Sequence, residues 1–428
     1  MPLIGQVPRS FDALKHLAFR NYWFAQGFSL IGSWMQVTAQ AWLVFDLIAD
    51  PAEAAIKFGY VGALQFAPTL VLSLFAGVVI DATSRRSVLL ACQGVLALSA
   101  VALALLTFTG WLSYPILLLI AAVNGTTNAF DVPARQSLVP DLVPKRDLRN
   151  AVSLNSLAFN VARLVGPAIA ATFIAVSEGF FAGSQPLMRY SPAIALNALS
   201  FAVIIPAIWS IRLPPREVKP HKVFAEIKEG LAYVMGQAEV RLATMLAGSL
   251  SLTIINFQLI VPLFARQALG LDIAGLGILL SSLGLGAILA FVVNSAYGDD
   301  DRLMLMRRGV LLFSLAFLAF VMSPNLPLAA LALVACGLGM IVTMVNAQAT
   351  VQLLVPDALR GRVMSIYMLV FSGFVPFGAL LVSQLVGRLG PRWGLLVVGL
   401  LGLGAALIFR PHRKWMARLR AAQTTAAD

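Results

Sequence analysis

The sequence predicts an all-α integral membrane protein whose 12 transmembrane helices form two six-helix bundles. Of its 428 residues, 59% are hydrophobic and only 12% are charged, whereas charged residues make up about 25% of an ordinary soluble domain. Mean hydropathy is +0.86, and the apolar residues occur in runs of about 20, the length of a helix that crosses a bilayer. In addition, one long unit of sequence occurs twice.

The internal repeat relates residues 136–141 to residues 352–357. The two segments read Gln-Ser-Leu-Val-Pro-Asp and Gln-Leu-Leu-Val-Pro-Asp, and they align without a gap at an offset of 216 residues, about half of the chain. Short repeats such as ankyrin or tetratricopeptide units have periods of about 33 or 34 residues, so they are excluded. The offset fits two parallel membrane halves related by an axis along the bilayer normal.

Each predicted helix occupies one apolar run, and the first run is too long for a signal-peptide core, so it is expected to be retained. The predicted spans are residues 21–45, 57–80, 87–109, 112–132, 151–177, 190–211, 242–266, 272–296, 308–323, 327–350, 362–387 and 392–410. The predicted domains are an N-terminal bundle at 1–211, a cytoplasmic linker with an amphipathic helix at 212–241, a C-terminal bundle at 242–410 and a cytoplasmic tail at 411–428.

The basic residues predict the orientation of the chain. Of the 31 Lys and Arg residues, 25 lie in the termini and connections on the N-terminal side, five lie on the opposite side, and Arg163 lies inside a span. Basic residues are retained in the cytoplasm, so both termini are predicted to be cytoplasmic. The net charge of +12 is spread over many short loops and indicates no nucleic-acid partner.

The first span carries a polar stripe along one helical face. Its members recur at spacings of three or four residues and are Gln26, Ser29, Ser33, Gln36 and Gln40. Unpaired amides are costly in hydrocarbon, so the stripe either bonds to neighbouring helices or faces a water-filled cavity. We expect Gln36 and Gln40 to face a cavity. Trp34 lies beside the stripe and could form an aromatic wall of that cavity, anchor the helix at the membrane interface or pack against a neighbouring helix.

The fourth and fifth spans carry polar residues at helical spacing. An arginine in mid-span is expensive unless it is paired or hydrated, so Arg163 is a candidate functional residue. It could pair with Asp131 as a structural or gating contact, or it could bind a substrate anion. The predicted cavity residues are Ser33, Trp34, Gln36, Gln40, Asn124, Asn128, Asn160, Arg163, Asn256 and Asn346.

The turn after the second span, Gly77-Val-Val-Ile-Asp81-Ala-Thr-Ser-Arg85-Arg86, resembles the signature loop of the major facilitator superfamily. The resemblance implies that Asp81 and Arg85 close the cytoplasmic side when the cavity opens outward. The sequence around Gly166-Pro167 is similar to the fifth-helix motif of the superfamily's antiporters. The predicted gating residues are Gly77, Asp81, Arg85, Arg86, Asp131, Gly166 and Pro167.

Three further stretches resemble the bacterial subgroup that includes siderophore exporters of the enterobactin-exporter type. They are Asn128-Ala-Phe-Asp131-Val-Pro-Ala-Arg135-Gln136, Asn150-Ala-Val-Ser-Leu-Asn155-Ser156 and Glu226-Ile-Lys-Glu-Gly230-Leu-Ala-Tyr233-Val234. The resemblance implies a place in the bacterial inner membrane. It also implies that two bundles rock about a cavity near the middle of the bilayer, so that one ligand site faces each side in turn.

The functional hypothesis is export of a small amphipathic organic molecule by proton antiport, with Asp131 as the proton carrier. The alternatives are proton-coupled uptake of a nutrient or metabolite and a membrane sensor that transports nothing. An enzyme is not expected, because the sequence has no nucleotide-binding loop, no spaced metal ligands and no nucleophile with a base. We expect a monomer that binds substrate, protons and membrane lipids, without a cofactor or metal.

Overall fold

The computed structural model describes residues 9–181, 183–212, 223–253, 256–296 and 302–408, and these residues form helices and turns without a strand. The helices are α1 Leu17–Leu47, α2 Pro51–Ala82, α3 Arg85–Thr109, α4 Tyr114–Leu142, α5 Leu148–Phe180, α6 Ser191–Ser210, α7 Val223–Gly236, α8 Ala238–Leu252, α9 Phe257–Leu263, α10 Ile273–Ala296, α11 Arg302–Met322, α12 Leu326–Leu354, α13 Asp357–Gly373, α14 Val375–Leu389 and α15 Pro391–Ile408. Short 3₁₀ helices cover Arg9–Lys15, Lys145–Asp147 and Pro186–Tyr190.

The helices match the predicted spans. Within the described residues, 11 helical stretches of 18 to 36 residues are long and apolar enough to cross a membrane. The remaining predicted span is α1, which has 31 residues but carries the polar stripe that lowers its hydropathy. Together they account for the 12 helices that the sequence predicts.

Two predicted spans are interrupted rather than continuous. The seventh span consists of α8 and α9, and between them Thr253 has φ −108° and ψ −91°, outside the helical range. The eleventh consists of α13 and α14, with Pro376 in the first turn of α14. Proline has no backbone N–H to donate to the preceding turn, so a helix commonly starts or breaks there.

The amphipathic helix predicted in the linker is α7, and it packs against the second half of the chain. Glu229 forms an ion pair with Arg362, and the hydroxyl of Tyr233 donates to the carbonyl of Leu354 over 3.2 Å. A Cβ added to Gly230 would lie 2.9 Å from the carbonyl oxygen of Arg362. The rest of the linker and the tail, residues 213–222 and 409–428, lie outside the described residues.

The chain divides into two compact units. The first contains Met1–Asp46 and Val71–Pro220, and the second contains Leu47–Leu70 and His221–Asp428, so α2 begins in the second unit and ends in the first. The first core includes Phe19, Tyr22, Leu89, Leu138 and Ile204. The second includes Val240, Met306, Val351, Val363 and Ile366. The division at residues 211 and 241 stays a prediction about the helical bundles.

Small residues bring helices of the second unit into backbone contact. A Cβ added to Gly286 on α10 would overlap the carbonyl oxygen of Val334 on α12 and lie 2.8 Å from the amide nitrogen of Leu338. A Cβ added to Gly337 would overlap the carbonyl oxygen of Leu283 in the same way. Close approach of this kind is the usual basis of helix association where lipid removes the hydrophobic driving force.

The internal repeat lies near the end of the fourth helix in each half. Residues 136–141 lie in the last turns of α4, and residues 352–357 span the end of α12 and the start of α13. By the order of the spans, α4 and α12 are the fourth helix of each half. The offset between the two sequence segments therefore reflects a repeated structural unit.

Candidate functional site

Helices α1 and α5 run side by side in the same direction. Nε2 of His16 lies 2.8 Å from Oδ2 of Asp147, and Nε1 of Trp23 donates to the carbonyl of Leu154 over 2.9 Å. Both pairs are separated by 131 residues in sequence. A constant sequence offset between contacting residues is expected only when two helices run parallel. Residues on α1 therefore face residues about 131 positions later on α5.

Gly166 allows the two helices to touch at the level of Trp34. A Cβ added to Gly166 would lie 2.5 Å from Cβ of Trp34 and 3.1 Å from the carbonyl oxygen of Ile31. Any larger residue at this position would push the helices apart. Pro167, the next residue, is buried inside α5.

Arg163 lies one turn before this crossing and has an aromatic neighbour. Its Cζ is 6.0 Å from the ring centre of Trp34, and that ring makes an edge contact with Phe159 at 5.8 Å. Arg163 is half-buried, while Phe159 is 44% exposed. Among the described residues, no carboxylate or hydrogen-bond acceptor pairs with the Arg163 guanidinium.

Three amide groups on α1 and α5 are incompletely bonded. Nδ2 of Asn160 donates to the carbonyl of Ser156 over 2.8 Å, but Oδ1 of Asn160 is enclosed and has no partner in the described part of the chain. The same holds for Oδ1 of Asn155 and for Oε1 of Gln26. We call Trp34, Phe159, Asn160 and Arg163 the α1–α5 face.

Asp131 belongs to a separate buried network on α4. Its Oδ1 accepts from Nε2 of Gln93 over 2.6 Å, and its Oδ2 lies 2.5 Å from Nε of Arg135. The pairing with Arg163 that the sequence left open is not present, because Oδ1 and Oδ2 of Asp131 bond to Gln93 and Arg135 instead. The spacing of Asp131 and Arg135, four residues on one helix, is the signal that could have predicted the pair.

Two predicted cavity residues make hydrogen bonds between helices. Oε1 of Gln36 accepts from Nδ2 of Asn197 on α6 over 2.6 Å, and Oδ1 of Asn124 accepts from Oγ of Ser99 on α3 over 2.7 Å. All four side chains are buried. For Gln36, a member of the polar stripe, the contact is a hydrogen bond to a neighbouring helix, which was the alternative to facing a cavity.

The remaining cavity candidates of the first unit outside the α1–α5 face are Ser33, Gln40 and Asn128. Oγ of Ser33 donates to the carbonyl of Ser29 one turn earlier, over 2.9 Å. Gln40 is buried and Asn128 is half-buried.

The cavity candidates of the second unit bond locally. Nδ2 of Asn256 donates to the carbonyl of Ser251 across the break in the seventh span, over 2.9 Å. Nδ2 of Asn346 donates to Oδ1 of Asn294 on α10 and to the carbonyl of Val342, both at 2.8 Å. The first contact closes a helix end, and the second joins α10 to α12.

The predicted gating residues at the start of α3 contact other helices of the first unit. Nη1 of Arg85 donates to the carbonyl of Ser137 over 2.7 Å and pairs with Asp141 near the end of α4. Cζ of Arg86 lies 4.9 Å from the ring centre of Trp209 on α6. Gly77 and Asp81 lie in α2, but the surroundings of these two residues are outside what the structure describes.

A polar cluster that the sequence did not reveal joins α1 to the loop before α6. Oδ2 of Asp46 lies 2.5 Å from Nη2 of Arg189 and accepts from the hydroxyl of Tyr190, also over 2.5 Å. Arg189 also pairs with Glu178. The partners are more than 140 residues apart in sequence, and no local spacing indicates such a contact.

Metal or cysteine chemistry has no support in the described part of the chain. No group of three or more His, Cys, Asp or Glu side chains there could hold a metal ion. Cys92 and Cys336 are both buried and free.

Comparison with known proteins gives the family. The family model described as transmembrane secretion effector matches residues 9–426. The chain is 24% identical over 367 residues to the staphyloferrin A transporter of Staphylococcus aureus, covering 85% of this chain and 88% of that protein. It is 27% identical over 397 residues to the multidrug efflux pump Tap of Mycolicibacterium fortuitum, covering 89% and 92%.

The solved structures give the fold. A crystal structure of a D-xylose-proton symporter matches with a TM-score of 0.73 at 16% identity, over 92% of this chain and 97% of that chain. The likeness extends over almost the whole of both chains and shows that they share a fold. The chain therefore belongs to the transmembrane secretion effector family of the major facilitator superfamily, and it is a multi-pass membrane transporter rather than an enzyme.

Proposed function

We propose that this transporter exports a small amphipathic organic molecule across the bacterial inner membrane by alternating access and proton antiport. In this proposal both termini lie in the cytoplasm, as the distribution of basic residues supports, and the transporter works as a monomer. The observation that carries the proposal is the α1–α5 face, where Arg163 stands midway along α5 without a carboxylate partner among the described residues.

A polar helical face of this kind requires water or a polar ligand. Charged side chains inside the membrane are costly and face a bundle interior or a water-filled cavity rather than lipid. Arg163 follows Leu148, the first residue of α5, by 15 positions, which corresponds to about 22 Å along the helix. A hydrated route at that depth is what a transporter needs and a membrane anchor does not.

Asp131 is the proton carrier in this proposal. Of the Asp and Glu residues that the structure describes, only Asp131 is buried. Its neighbour Arg135 is its ion-pair partner, with Nε of Arg135 2.5 Å from Oδ2 of Asp131. In the proposed cycle, a conformational change breaks this ion pair, the free carboxylate binds a proton, and the proton leaves when the ion pair forms again.

The similar proteins support the cargo class and the direction. One is named as a transporter of staphyloferrin A and another as a multidrug efflux pump. Both names refer to small organic molecules, and efflux is outward. We therefore place siderophores and amphipathic drugs first among the candidate cargoes.

The test measures flux in proteoliposomes with an imposed pH gradient. The panel contains siderophores, cationic dyes and common antibiotics, and each compound is followed with the gradient and after a protonophore removes it. We expect at least one compound to accumulate against protons and to stop when the gradient collapses. Movement in the same direction as protons would favour uptake, and flux that ignores the gradient would refute proton coupling.

Asp131→Asn separates coupling from binding. We expect this variant to lose accumulation driven by the pH gradient but to retain counterflow, the exchange of labelled for unlabelled cargo without a gradient. The matched control is Glu53→Gln, which removes one member of an exposed i,i+4 pair with Lys57 and should leave both measurements unchanged. Full accumulation by Asp131→Asn would show that another group carries the proton.

A further inference from the structure

We infer that the cargo bears a carboxylate next to a flat apolar group, and that the α1–α5 face binds both parts. Arg163 binds the carboxylate, and the rings of Trp34 and Phe159 contact the flat group. This inference rests on the transport function proposed above, which states only that the cargo is small and amphipathic.

The guanidinium of Arg163 differs from those of other arginines in the first unit in its lack of a carboxylate partner among the described residues. Two other arginines with little exposure in the first unit have carboxylate partners at 2.5 Å, Arg135 with Asp131 and Arg189 with Asp46. Arg163 has no such partner among the described residues. Guanidinium is a planar fork of five donors that matches a carboxylate in two parallel hydrogen bonds, so an anionic cargo would supply what this side chain lacks.

The depth of Arg163 excludes a lipid headgroup as the anion. The residue is about 22 Å along α5 from the start of the helix, and 17 further residues follow it to Phe180. The hydrocarbon core is about 30 Å thick, with phosphate groups at its two surfaces. A carboxylate that reaches this position must therefore enter with a molecule in the transport path.

The aromatic pair defines the second part of the cargo. The Trp34 ring centre is 6.0 Å from Cζ of Arg163, and the edge contact with Phe159 leaves that residue 44% exposed. Aromatic rings pair with flat groups by offset stacking or edge contact. A planar group attached directly to the carboxylate would lie against these rings while its anion contacts the guanidinium.

The experiment compares three probes of one shape in binding to the full-length protein in neutral-lipid nanodiscs. They are 2-naphthoate, its uncharged methyl ester, and 2-naphthylmethylamine, which is cationic. Equilibrium dialysis measures saturable binding, and empty nanodiscs correct for partition into lipid. We expect wild-type protein to bind 2-naphthoate at least about tenfold more tightly than either analogue, the usual size of a charge-assisted hydrogen bond.

Two variants assign the preference to one side chain. Arg163→Gln should abolish the advantage of 2-naphthoate over its ester, and Arg163→Lys, which keeps the charge but loses the fork, should retain part of it. The matched control is Arg149→Gln, which removes an exposed arginine from the same helix and should change nothing. Elution as a single species in size-exclusion chromatography confirms that each variant is folded.

Each outcome decides the inference. Equal binding of the three probes, no saturable binding of 2-naphthoate, or an advantage that survives in Arg163→Gln would overturn it. The proposed function fails differently, because it depends on flux: carboxylate binding without proton-driven movement of any compound would refute antiport and leave this inference standing. Proton-driven movement of cationic dyes without carboxylate binding would do the reverse.

Discussion

Replacing Asp131 with asparagine tests whether the buried pair on α4 acts as one electrostatic unit. The carboxylate bonds to Arg135 at 2.5 Å and to Gln93 at 2.6 Å. The side chain of Asp131 is 5% exposed and that of Arg135 is 16% exposed. Asp131→Asn therefore leaves a guanidinium with little access to water and without its counter-ion.

The expected loss follows from this burial. Breaking a buried ion pair from one side costs about 3–5 kcal/mol. Asparagine keeps an oxygen that can still accept from Gln93, so we expect about 3 kcal/mol, the lower end of that range. The double variant Asp131→Asn/Arg135→Gln leaves no unpaired charge, and we expect it to lose less than half as much as Asp131→Asn alone.

The assay is unfolding of the purified protein in mixed micelles as SDS is titrated into a neutral detergent, for wild type, both single variants and the double variant. Glu53→Gln is the control, because Glu53 and Lys57 form an i,i+4 pair of similar geometry at 2.7 Å in which Glu53 is 54% exposed. We expect that control to lose at most about 0.5 kcal/mol. A double variant as unstable as the sum of the two single variants would refute the reasoning, because the charges would then be independent.

Three further substitutions test the packing of the helices. Gly286→Ala should destabilise the protein by about 1–3 kcal/mol, because the methyl group overlaps the backbone of α12. Gly166→Ala should cost a similar amount and also slow transport, since its methyl group displaces Trp34 from the α1–α5 face. Gln36→Leu should cost about 1 kcal/mol by leaving the Asn197 amide without its acceptor, and the double variant with Asn197→Leu should recover part of that loss. Thermal unfolding and proteoliposome flux measure these effects.

Gly94→Ala is the control for both glycine substitutions. A Cβ added to Gly94 on α3 meets nothing within 4 Å, and alanine is the better helix former by about 1 kcal/mol. We expect this variant to be as stable as wild type or more stable. If Gly286→Ala and Gly166→Ala behave like Gly94→Ala, the helices are not in the close contact described above.

The sequence located the helices because bilayer physics leaves few alternatives. Every backbone polar group in hydrocarbon must be bonded internally, so an apolar run of about 20 residues predicts a helix without knowledge of its neighbours. The predicted spans and the linker helix α7 were found on this basis. The break between α8 and α9 was not predicted, because the stretch around Thr253 is as apolar as the helices on either side.

The partners of the polar residues were predictable only where they lie on one helix. Asp131 and Arg135 are four positions apart, so helical spacing brings them together. The partner of Gln36 is Asn197, 161 residues away on α6, and a stripe of amides on α1 does not indicate which neighbour it meets. A polar stripe is compatible with a bonded interface and with a wet cavity, and burial by other helices decides between them.

The sequence by itself determined that this chain is a helical membrane protein, where its spans lie, and that Arg163 stands inside one of them. Only the tertiary structure decided that Gln36 bonds to Asn197 and that Arg163 lies beside Trp34 without a carboxylate partner in the described residues. The physical reason is that crossing a bilayer constrains each segment separately, through its length and composition. Pairing depends on the distance between side chains of different helices, and no local sequence pattern encodes that distance.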